Sequence, residues 1–340
     1  MSVTGLSEPA ATDTSSEKDA LRRIQASVKQ RLDAVTDEMA ESVFHDAPLL
    51  AQMGDHLMAM RGKMFRPTLV LLCSSVSERS ESRAVTLAAA VELIHLATLV
   101  HDDAVDHSVL RRGMPTLNSL FTHQISVIMG DFLYSIALTK LVNLADIGAL
   151  RALTRASTEM TVGEMRQLAV SDSLSFSEDD YYALIRSKTA SLMSAACEVG
   201  SLAGATEHRE ALMKYGDALG MAFQIADDLI DYTEAQETTG KPTGLDLKEH
   251  KVTLPLIAAL RVMSPSERAR VDALFDSEKP GDAEVADVIR IVTANGGLEY
   301  AREKGATFAA QAREALAGLP DTVARQALFE SISYVMERHA

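Results

Sequence analysis

Apolar residues recur every three to four positions along almost the whole chain from Lys18 onward, as Leu21, Ile24, Val28 and Leu32 show near its start. Residues at this spacing share one face of an α-helix, whereas a half-buried strand alternates every second residue. Alternating runs are few in this sequence. The pattern therefore predicts an all-α protein of roughly ten to thirteen helices, with helix ends placed to within a few residues.

Helix-breaking residues are sparse and fall between the periodic stretches. They include Gly62, Pro67, Gly113, Pro115, Gly240, Pro242, Pro265, Pro280, Gly281, Gly296 and Gly297. No low-complexity linker or shift of composition divides the chain, so we predict one helical domain over residues 18–340. Residues 1–17 are rich in Ser, Thr, Ala and Glu and lack a cationic start and an apolar run, which predicts a disordered tail and not a signal peptide.

The composition excludes some functions and supports a large core. The chain has 340 residues, 47% of them apolar, no Trp and a net charge of −15. This negative charge argues against nonspecific nucleic-acid binding, although local cationic clusters still allow an anionic substrate. No uninterrupted apolar run is long enough for a membrane span. Cys73 and Cys197 lie in apolar surroundings, which favours buried thiols in a reducing cytoplasm.

The pattern Asp-Asp-x-x-Asp occurs twice, each time inside an apolar helical stretch. The carboxylates are Asp102, Asp103 and Asp106 in the first cluster and Asp227, Asp228 and Asp231 in the second. A single cluster of this kind is as typical of a solvated helix face as of a metal site. Two clusters among apolar residues, where unpaired charge is costly, predict two acidic faces that oppose each other across a cavity and bind hard metal ions. Magnesium fits best, because carboxylates, water and substrate phosphates complete its coordination.

Basic and polar side chains accompany both clusters, as binding of a phosphate group requires. They are Lys63, Arg66, Arg111, Arg112, Lys188 with its neighbour Thr189, Gln224, Lys241 and Lys251. Any one of these basic residues alone is more typical of a surface charge. Their placement beside the aspartate clusters of an acidic protein favours phosphate binding instead. His95 lies two helical turns before Asp102, and its spacing fits a core histidine and a ligand equally well.

Together these residues resemble the trans-isoprenyl diphosphate synthases, also called polyprenyl synthetases, of the long-chain type. The similarity extends from about Gly62 to Pro255, and residues 296–301 show a weaker similarity. The matching blocks are GKMFRP at 62–67, ELIHLATLVHDDAVD at 92–106, RRGMPT at 111–116, GDFLY at 130–134, KTA at 188–190, FQIADDLID at 223–231 and GKPTGLDLKEHKVTLP at 240–255. So many blocks in the same order make the resemblance specific.

The resemblance implies a single bundle of mostly antiparallel helices around a deep central cavity, assembled as a homodimer. It implies that magnesium, as three ions when diphosphate is bound, is held by Asp102 and Asp106 on one wall and by Asp227 and Asp231 on the other. Asp103 and Asp228 would support these sites. Isopentenyl diphosphate would be bound by Lys63, Arg66, His95 and Arg112. The allylic diphosphate would be bound by Arg111, Lys188, Thr189, Gln224, Lys241 and Lys251. Lys188 and the six aspartates of the two clusters are predicted to be catalytic.

The length of the product depends, by the same resemblance, on how far the growing chain extends below the metals. Ala97 and Thr98 precede Asp102 by five and four residues, where short-chain enzymes of the family tend to have bulky aromatics. Two small side chains cannot close the cavity there, so we predict a product longer than farnesyl or geranylgeranyl diphosphate. Phe132 or a neighbour is the candidate for a deeper floor.

Four alternatives stand beside this interpretation. One is a short-chain synthase of the same family. Another is a class I terpene cyclase, although such cyclases usually pair one Asp-rich motif with a different second motif. A non-catalytic regulatory subunit is disfavoured because no aspartate is missing, whereas a catalytic subunit that needs a small helper stays open.

Overall fold

The computed structural model describes residues 13–44, 47–111, 113–168, 173–233 and 243–337. The α-helices in this part of the chain are α1 (Asp13–Gln25), α2 (Lys29–Val43), α3 (Pro48–Ala59), α4 (Phe65–Ser74), α5 (Arg83–Val105), α6 (Leu117–Leu120), α7 (His123–Asn143), α8 (Ile147–Leu168), α9 (Glu178–Ile185), α10 (Ser191–Leu202), α11 (Arg209–Thr233), α12 (Leu245–Lys248), α13 (Leu254–Leu260), α14 (Pro265–Asp276), α15 (Asp282–Ala294), α16 (Gly297–Leu316) and α17 (Val323–Glu337). Short 3₁₀ turns span Ala26–Val28, Ser173–Ser175 and Thr206–His208, and a π-helical segment spans Arg186–Ala190.

The predicted all-α class is confirmed. A small antiparallel hairpin of two-residue strands, β1 (Leu110–Arg111) and β2 (Met114–Pro115), lies between α5 and α6 and was not predicted. Helix α1 begins at Asp13, inside the segment 1–17 that we predicted as a tail, and residues 1–12 lie outside the described residues. Two predicted substrate-binding residues, Arg112 and Lys241, also lie outside them.

Helix starts follow ordinary capping rules where the sequence supplies the right residues. Ser264 precedes Pro265 at the start of α14, and its hydroxyl accepts a hydrogen bond from the Glu267 backbone N–H while the Glu267 carboxylate accepts one from the Ser264 backbone N–H. Ser177 and Asp180 repeat this capping box at α9. Such reciprocal bonds satisfy N–H groups that the first helical turn leaves unpaired, which fixes where each helix begins.

Two packed hydrophobic clusters form the interior. The larger draws mainly on α2, α4, α5, α7, α8, α10, α11 and α17, and the smaller on the end of α11 together with α9 and α13 to α16. Helix α10 packs against α4, α5, α8 and α11. It therefore contacts both helices that carry an aspartate cluster, α5 and α11. Cys73 and Cys197 are buried free thiols of the larger cluster, as predicted.

Helices α5 and α7 are long and apolar enough to cross a membrane when judged by length and composition alone. This is weak evidence for a span, because core helices of soluble proteins have the same character. The apolar window of α5 is 67% buried inside the protein, as a core helix should be. That of α7 is only 33% buried, and its residues Ile128 and Val142 are more than half exposed. Helix α7 thus presents an apolar face outward.

Candidate active site

The first aspartate cluster lies where α5 ends. Asp103 is buried, and its carboxylate accepts hydrogen bonds from Arg111, with Nε 2.8 Å from Oδ1 and 2.9 Å from Oδ2. The hairpin that follows α5 thus folds back to neutralise this carboxylate. Asp102 is partly buried and Asp106 is exposed. Burial raises the pKa of Asp102 to about 6, and the charges of Glu164 and Asp106 add to the rise while Lys188 and Arg111 oppose it.

The second cluster lies near the end of α11. Asp228 is buried and accepts hydrogen bonds from the Tyr181 hydroxyl at 2.5 Å and from Gln224 Nε2 at 2.8 Å. Burial raises the pKa of Asp228 well above its usual range, and the nearby charges of Asp246 and Asp227 act in the same direction. The hydrogen bonds from Tyr181 and Gln224 oppose that rise. A buried carboxylate with two donors of its own chain is a structural support.

The outer carboxylates of the second cluster are less buried than Asp228. Asp227 is exposed and Asp231 is partly buried. The Asp231 carboxylate accepts backbone N–H hydrogen bonds from Leu245 at 3.0 Å and from Asp246 at 3.1 Å, at the start of α12. In both clusters, therefore, the middle aspartate is buried and hydrogen-bonded to its own chain, one outer aspartate is partly buried and the other is exposed.

The π-helical segment Arg186–Ala190 brings two predicted residues beside both clusters. Lys188 Nζ lies 2.5 Å from the Glu164 carboxylate and 2.8 Å from Gln167 Oε1 on α8. The Thr189 hydroxyl donates a hydrogen bond of 2.8 Å to Gln224 Oε1 on α11. π-Helical turns inside α-helices occur often at functional sites, because the extra residue re-aims the side chains around it.

Two glycines allow this segment to pack closely between α8 and α11. A Cβ atom on Gly163 of α8 would lie 2.7 Å from Ser187 Cβ, and one on Gly220 of α11 would lie 2.5 Å from Ala190 Cα. Contacts this short do not occur between real side chains and backbone, so both positions exclude a larger residue without movement. The lack of a side chain at Gly163 and Gly220 thus lets the segment that carries Lys188 and Thr189 pack between α8 and α11.

Electrostatic interactions connect the two clusters across the site. Lys188 lowers the pKa of Asp102 in the first cluster, while its neighbour Thr189 is hydrogen-bonded to Gln224, which holds Asp228 in the second. Lys251 provides another connection. Burial by itself would lower its pKa, but a hydrogen bond of 2.6 Å to Glu249 and the charges of Glu249, Asp246 and Asp106 raise it. Lys251 follows the second cluster in sequence yet interacts with Asp106 of the first.

A separate group of predicted residues lies at the start of α4. Arg66 Nη1 is 3.0 Å from His95 Nε2 on α5, which places both beside each other as the resemblance implies for one diphosphate. Lys63, in the turn before α4, forms an ion pair with the carboxylate of Glu17 on α1. The structure brings Lys63, Arg66 and His95 near one helix start.

Several residues of the site were not singled out from the sequence. Burial raises the pKa of Asp246 to about 7, with the Asp231 charge as the next contribution. Glu164 and Gln167 stand three apart on α8 and both contact Lys188, a polar pair on one helical face that could have been noticed. Tyr181, which holds Asp228, sits in a stretch with no recognisable pattern. Only the fold brings it there.

The residues predicted to set product length lie on two helices that pack together, α5 and α7. Ala97 is 1% exposed, and the Thr98 hydroxyl donates a hydrogen bond of 2.8 Å to the His95 carbonyl one turn earlier. Phe132 of α7 is partly buried and packs against the larger hydrophobic cluster. No bulky aromatic stands at positions 97 or 98 to obstruct the packing of these helices.

The donor set suits a hard divalent cation that the substrate helps to bind. Among the described residues, no three His, Cys, Asp or Glu side chains converge closely enough to hold a metal ion alone. Magnesium is usually bound by one or two carboxylates, with water and phosphate oxygens completing its shell. The exposed Asp106 and Asp227, each beside a partly buried outer aspartate of the same cluster, fit that mode of binding.

Comparisons with known proteins agree with this geometry. The sequence model of the family described as polyprenyl synthetase matches residues 47–292. The chain is 36% identical over 323 residues to the nonaprenyl diphosphate synthase of Mycobacterium tuberculosis, covering 94% of each protein. It is also 36% identical over 320 residues to the octaprenyl diphosphate synthase of Escherichia coli, covering 94% of this chain and 99% of that protein.

A solved structure shares the whole fold. The polyprenyl synthase of Caulobacter crescentus, crystallised with calcium and isoprenyl diphosphate, superposes with a TM-score of 0.89 at 34% identity. The match covers 94% of this chain and 98% of that one. The names of these three proteins thus describe one class of enzyme, and the solved structure shares the fold of this chain.

Proposed function

The chain belongs to the polyprenyl synthetase family, and from that premise we propose how its two aspartate clusters serve the reaction. The enzyme is a polyprenyl diphosphate synthase, a prenyltransferase that joins isopentenyl diphosphate to an allylic diphosphate in successive rounds. One observation supports the site assignment. Lys188 pairs with Glu164, and both charges shift the pKa of Asp102 in the first cluster. Its neighbour Thr189 donates a hydrogen bond to Gln224, beside the second cluster. That pairing supports one site between α5 and α11.

Magnesium is the metal that the donor set favours, held by Asp102 and Asp106 on one side and by Asp227 and Asp231 on the other. When bound, it supplies Lewis-acid stabilisation of the leaving diphosphate. Asp103 and Asp228 hold the two helix ends in place through Arg111, Tyr181 and Gln224. Their buried, partnered carboxylates suit support better than metal binding.

The side chains around the clusters bind the allylic diphosphate and separate charge. Lys188 and Lys251 stabilise the negative charge that develops as the allylic C–O bond ionises, and Arg111 with Lys241 completes this cationic set. The Thr189 hydroxyl oxygen and the Gln224 carbonyl oxygen direct their dipoles toward the allylic cation. The double bond of isopentenyl diphosphate then attacks that cation, and the departing diphosphate takes the proton. No nucleophilic side chain is needed.

The group at the start of α4 positions the second substrate. Lys63, Arg66 and His95 bind the diphosphate of isopentenyl diphosphate, together with Arg112. The hydrogen-bonding contact of 3.0 Å between Arg66 Nη1 and His95 Nε2 supports a shared anion position. Holding this diphosphate fixes the homoallylic double bond next to the allylic carbon, which converts an encounter of two molecules into a local reaction.

The product is a long-chain polyprenyl diphosphate, because nothing bulky limits growth near the metals. Ala97 and Thr98 leave space beside α5, so that the chain extends along that helix toward Phe132.

The exposed apolar face of α7 supports a homodimer. This face includes Ile128 and Val142, and a second copy of the chain is the partner that the family resemblance indicates. We propose that the enzyme works in the cytoplasm, and a catalytic subunit that needs a small helper stays an open alternative, which the following assay decides.

The test is to size the products of the purified chain. Incubation with farnesyl diphosphate, radiolabelled isopentenyl diphosphate and magnesium should yield polyprenyl diphosphates longer than C20, and a chelator should stop the reaction. Growth that stops at C20, one unit beyond the C15 primer, would identify a short-chain synthase, and a cyclic hydrocarbon would identify a terpene cyclase. Condensation that appears only after a second protein is added would show that a helper subunit is required.

A further inference from the structure

Lys63, one of the residues assigned to isopentenyl diphosphate, is surrounded by the first and last described helices. Its ammonium forms an ion pair with Glu17 of α1 and lies 5.9 Å from the ring centroid of Tyr334 on α17. The Tyr334 hydroxyl donates a hydrogen bond of 3.1 Å to the same Glu17 carboxylate. One carboxylate therefore connects α1, α17 and the turn before α4.

Burial differs sharply between the two charged partners. The Glu17 side chain is only 14% exposed, whereas the Lys63 side chain is 52% exposed. A lysine ammonium carries three donors, and one carboxylate does not satisfy all of them. Lys63 thus pairs with a protein carboxylate while about half of its side chain stays open to solvent, where an anion can reach it.

Helix α1 also fixes the backbone that carries Lys63. Gln25 Nε2 donates hydrogen bonds of 2.9 Å to the Lys63 carbonyl and 3.1 Å to the Thr68 hydroxyl oxygen. Met64, the next residue, has a φ of 53°, a left-handed conformation that is costly for a residue with a side chain. Such a turn persists only when its surroundings hold it, and Gln25 supplies part of that support.

An aromatic contact chain extends from this ion pair to the allylic side of the site. Tyr334 packs on Phe65 at 5.7 Å between ring centroids, and Phe65 stacks on Phe223 at 6.2 Å. Phe223 directly precedes Gln224, which holds both Thr189 and Asp228. The Glu17 contact is therefore continuous with the packed interior and is not an isolated surface pair.

We propose that Glu17 is an internal competitor for the diphosphate of isopentenyl diphosphate at Lys63 and thereby a determinant of substrate affinity. This inference rests on the proposed role of Lys63. The carboxylate of Glu17 occupies one side of the ammonium and lowers the positive potential that an incoming diphosphate meets. Tyr334 holds the carboxylate in that position, so that α1 and α17 together tune the second-substrate pocket.

A purely structural ion pair would behave differently from an internal competitor. If Glu17 merely tied α1 to the bundle, its removal would lower thermal stability and leave the affinity for isopentenyl diphosphate unchanged. If Glu17 oriented Lys63 for the substrate, its removal would weaken binding. Competition alone predicts stronger binding after the negative charge is removed.

The experiment measures KM and kcat for isopentenyl diphosphate in wild type, Glu17→Gln, Tyr334→Phe and Asp19→Asn, at saturating farnesyl diphosphate. Gln keeps the shape of Glu17 and its polar contact with Tyr334 while removing the charge. Asp19 is the matched control, because it is an exposed α1 carboxylate paired only with the exposed Arg22 among the described residues. Circular dichroism confirms that each variant is folded.

We expect Glu17→Gln to lower KM for isopentenyl diphosphate by about two- to fivefold, the range that one partly exposed ion pair provides. Tyr334→Phe should shift KM in the same direction by less, and Asp19→Asn should match wild type. An unchanged or higher KM in Glu17→Gln would overturn the inference. If wild type itself condensed no isopentenyl diphosphate, the proposed function would fail instead, so the two failures are distinguishable.

Inhibition by inorganic pyrophosphate at saturating farnesyl diphosphate provides a second measurement. As an inhibitor competing with isopentenyl diphosphate, it should bind Glu17→Gln more tightly than wild type by a similar factor. Equal inhibition constants in the two proteins would contradict competition at Lys63.

Discussion

The Thr189 hydroxyl and the Gln224 side-chain carbonyl are joined by a hydrogen bond of 2.8 Å that connects the π-helical segment to α11. The amide of the same Gln224 donates to Asp228 of the second cluster. The charge of Lys188, the neighbour of Thr189, lowers the pKa of Asp102 in the first cluster. This hydrogen bond thus links the segment that carries Lys188 to the side chain that holds Asp228.

Breaking that bond should impair both stability and catalysis. Thr189→Val keeps the shape of the side chain but leaves the Gln224 carbonyl without this donor, which typically costs about 1 kcal/mol of unfolding free energy. We expect kcat/KM for the allylic substrate to fall about five- to tenfold. Steady-state kinetics and thermal unfolding check both quantities. Thr158→Val, on the exposed side of α8, is the control and should change neither; equal behaviour of the two variants would contradict the role of Thr189.

Gly220→Ala should displace the segment that carries Lys188 and Thr189. The added Cβ would lie 2.5 Å from Ala190 Cα, so the backbone must move, and overpacking of this kind costs about 1–3 kcal/mol. Differential scanning calorimetry should show a lower Tm together with a raised KM for the allylic diphosphate. Gly318→Ala is the control, because a Cβ there meets nothing within 4 Å. A Gly220→Ala variant with wild-type Tm and KM would refute the close-approach argument.

The metal-free protein should become more stable as the pH falls from about 8 to about 6. The pKa of Asp102 is raised from 3.8 to about 6 and that of Asp246 from 3.8 to about 7. Both folded-state values exceed the unfolded ones, so the cost of ionised carboxylates is present above the folded pKa and is relieved as protons bind. A Tm higher by about 2 °C or more at pH 6 than at pH 8 is expected in the presence of a chelator.

Magnesium should reverse this trend, because it binds the ionised carboxylates. The gain in Tm on adding magnesium with pyrophosphate should be largest at pH 8 and diminish below about pH 6, where protons compete at Asp102. The Asp102→Asn variant should show a flatter pH dependence without metal. Identical slopes for wild type and variant would show that Asp102 does not titrate in this range.

Ala97→Phe should shorten the product without abolishing turnover. Ala97 is 1% exposed and lies five residues before Asp102 on α5, so a ring there would take up room on the proposed path of the growing chain. Chromatography of the products should show a shift toward shorter prenyl diphosphates at comparable initial rates. Unchanged product lengths in a folded, active variant would place the growing chain elsewhere.

Much of the fold could be predicted from the sequence, and the two aspartate clusters of the candidate site could be located in it. Helical periodicity gave the all-α class, because a 3.6-residue repeat of apolar residues is a local property of each helix. The Asp-Asp-x-x-Asp pattern is also local, so both aspartate clusters could be located from the sequence alone. The hairpin at Leu110–Arg111 was missed, since strands of two residues carry no periodic pattern.

Long-range contacts could not be predicted. Tyr181 reaches Asp228 across 47 positions, and Glu17 reaches Lys63 across 46. The sequence near either partner contains no local pattern that predicts such a contact, because the packing of whole helices brings the two residues together. The different roles of Asp103 and Asp102 likewise depend on where Arg111 folds back.

The central claim is that the two aspartate clusters act on one diphosphate, and a double-mutant cycle tests it most directly. Condensation kcat/KM is measured with saturating magnesium for wild type, Asp102→Asn, Asp227→Asn and the double variant, with Glu210→Gln on the exposed face of α11 as control. Each single change should reduce kcat/KM by at least about 100-fold. The double variant should be little worse than the poorer single one, since residues that act as a unit are not additive. Fully multiplicative losses, or a single variant with wild-type kcat/KM, would contradict a shared site.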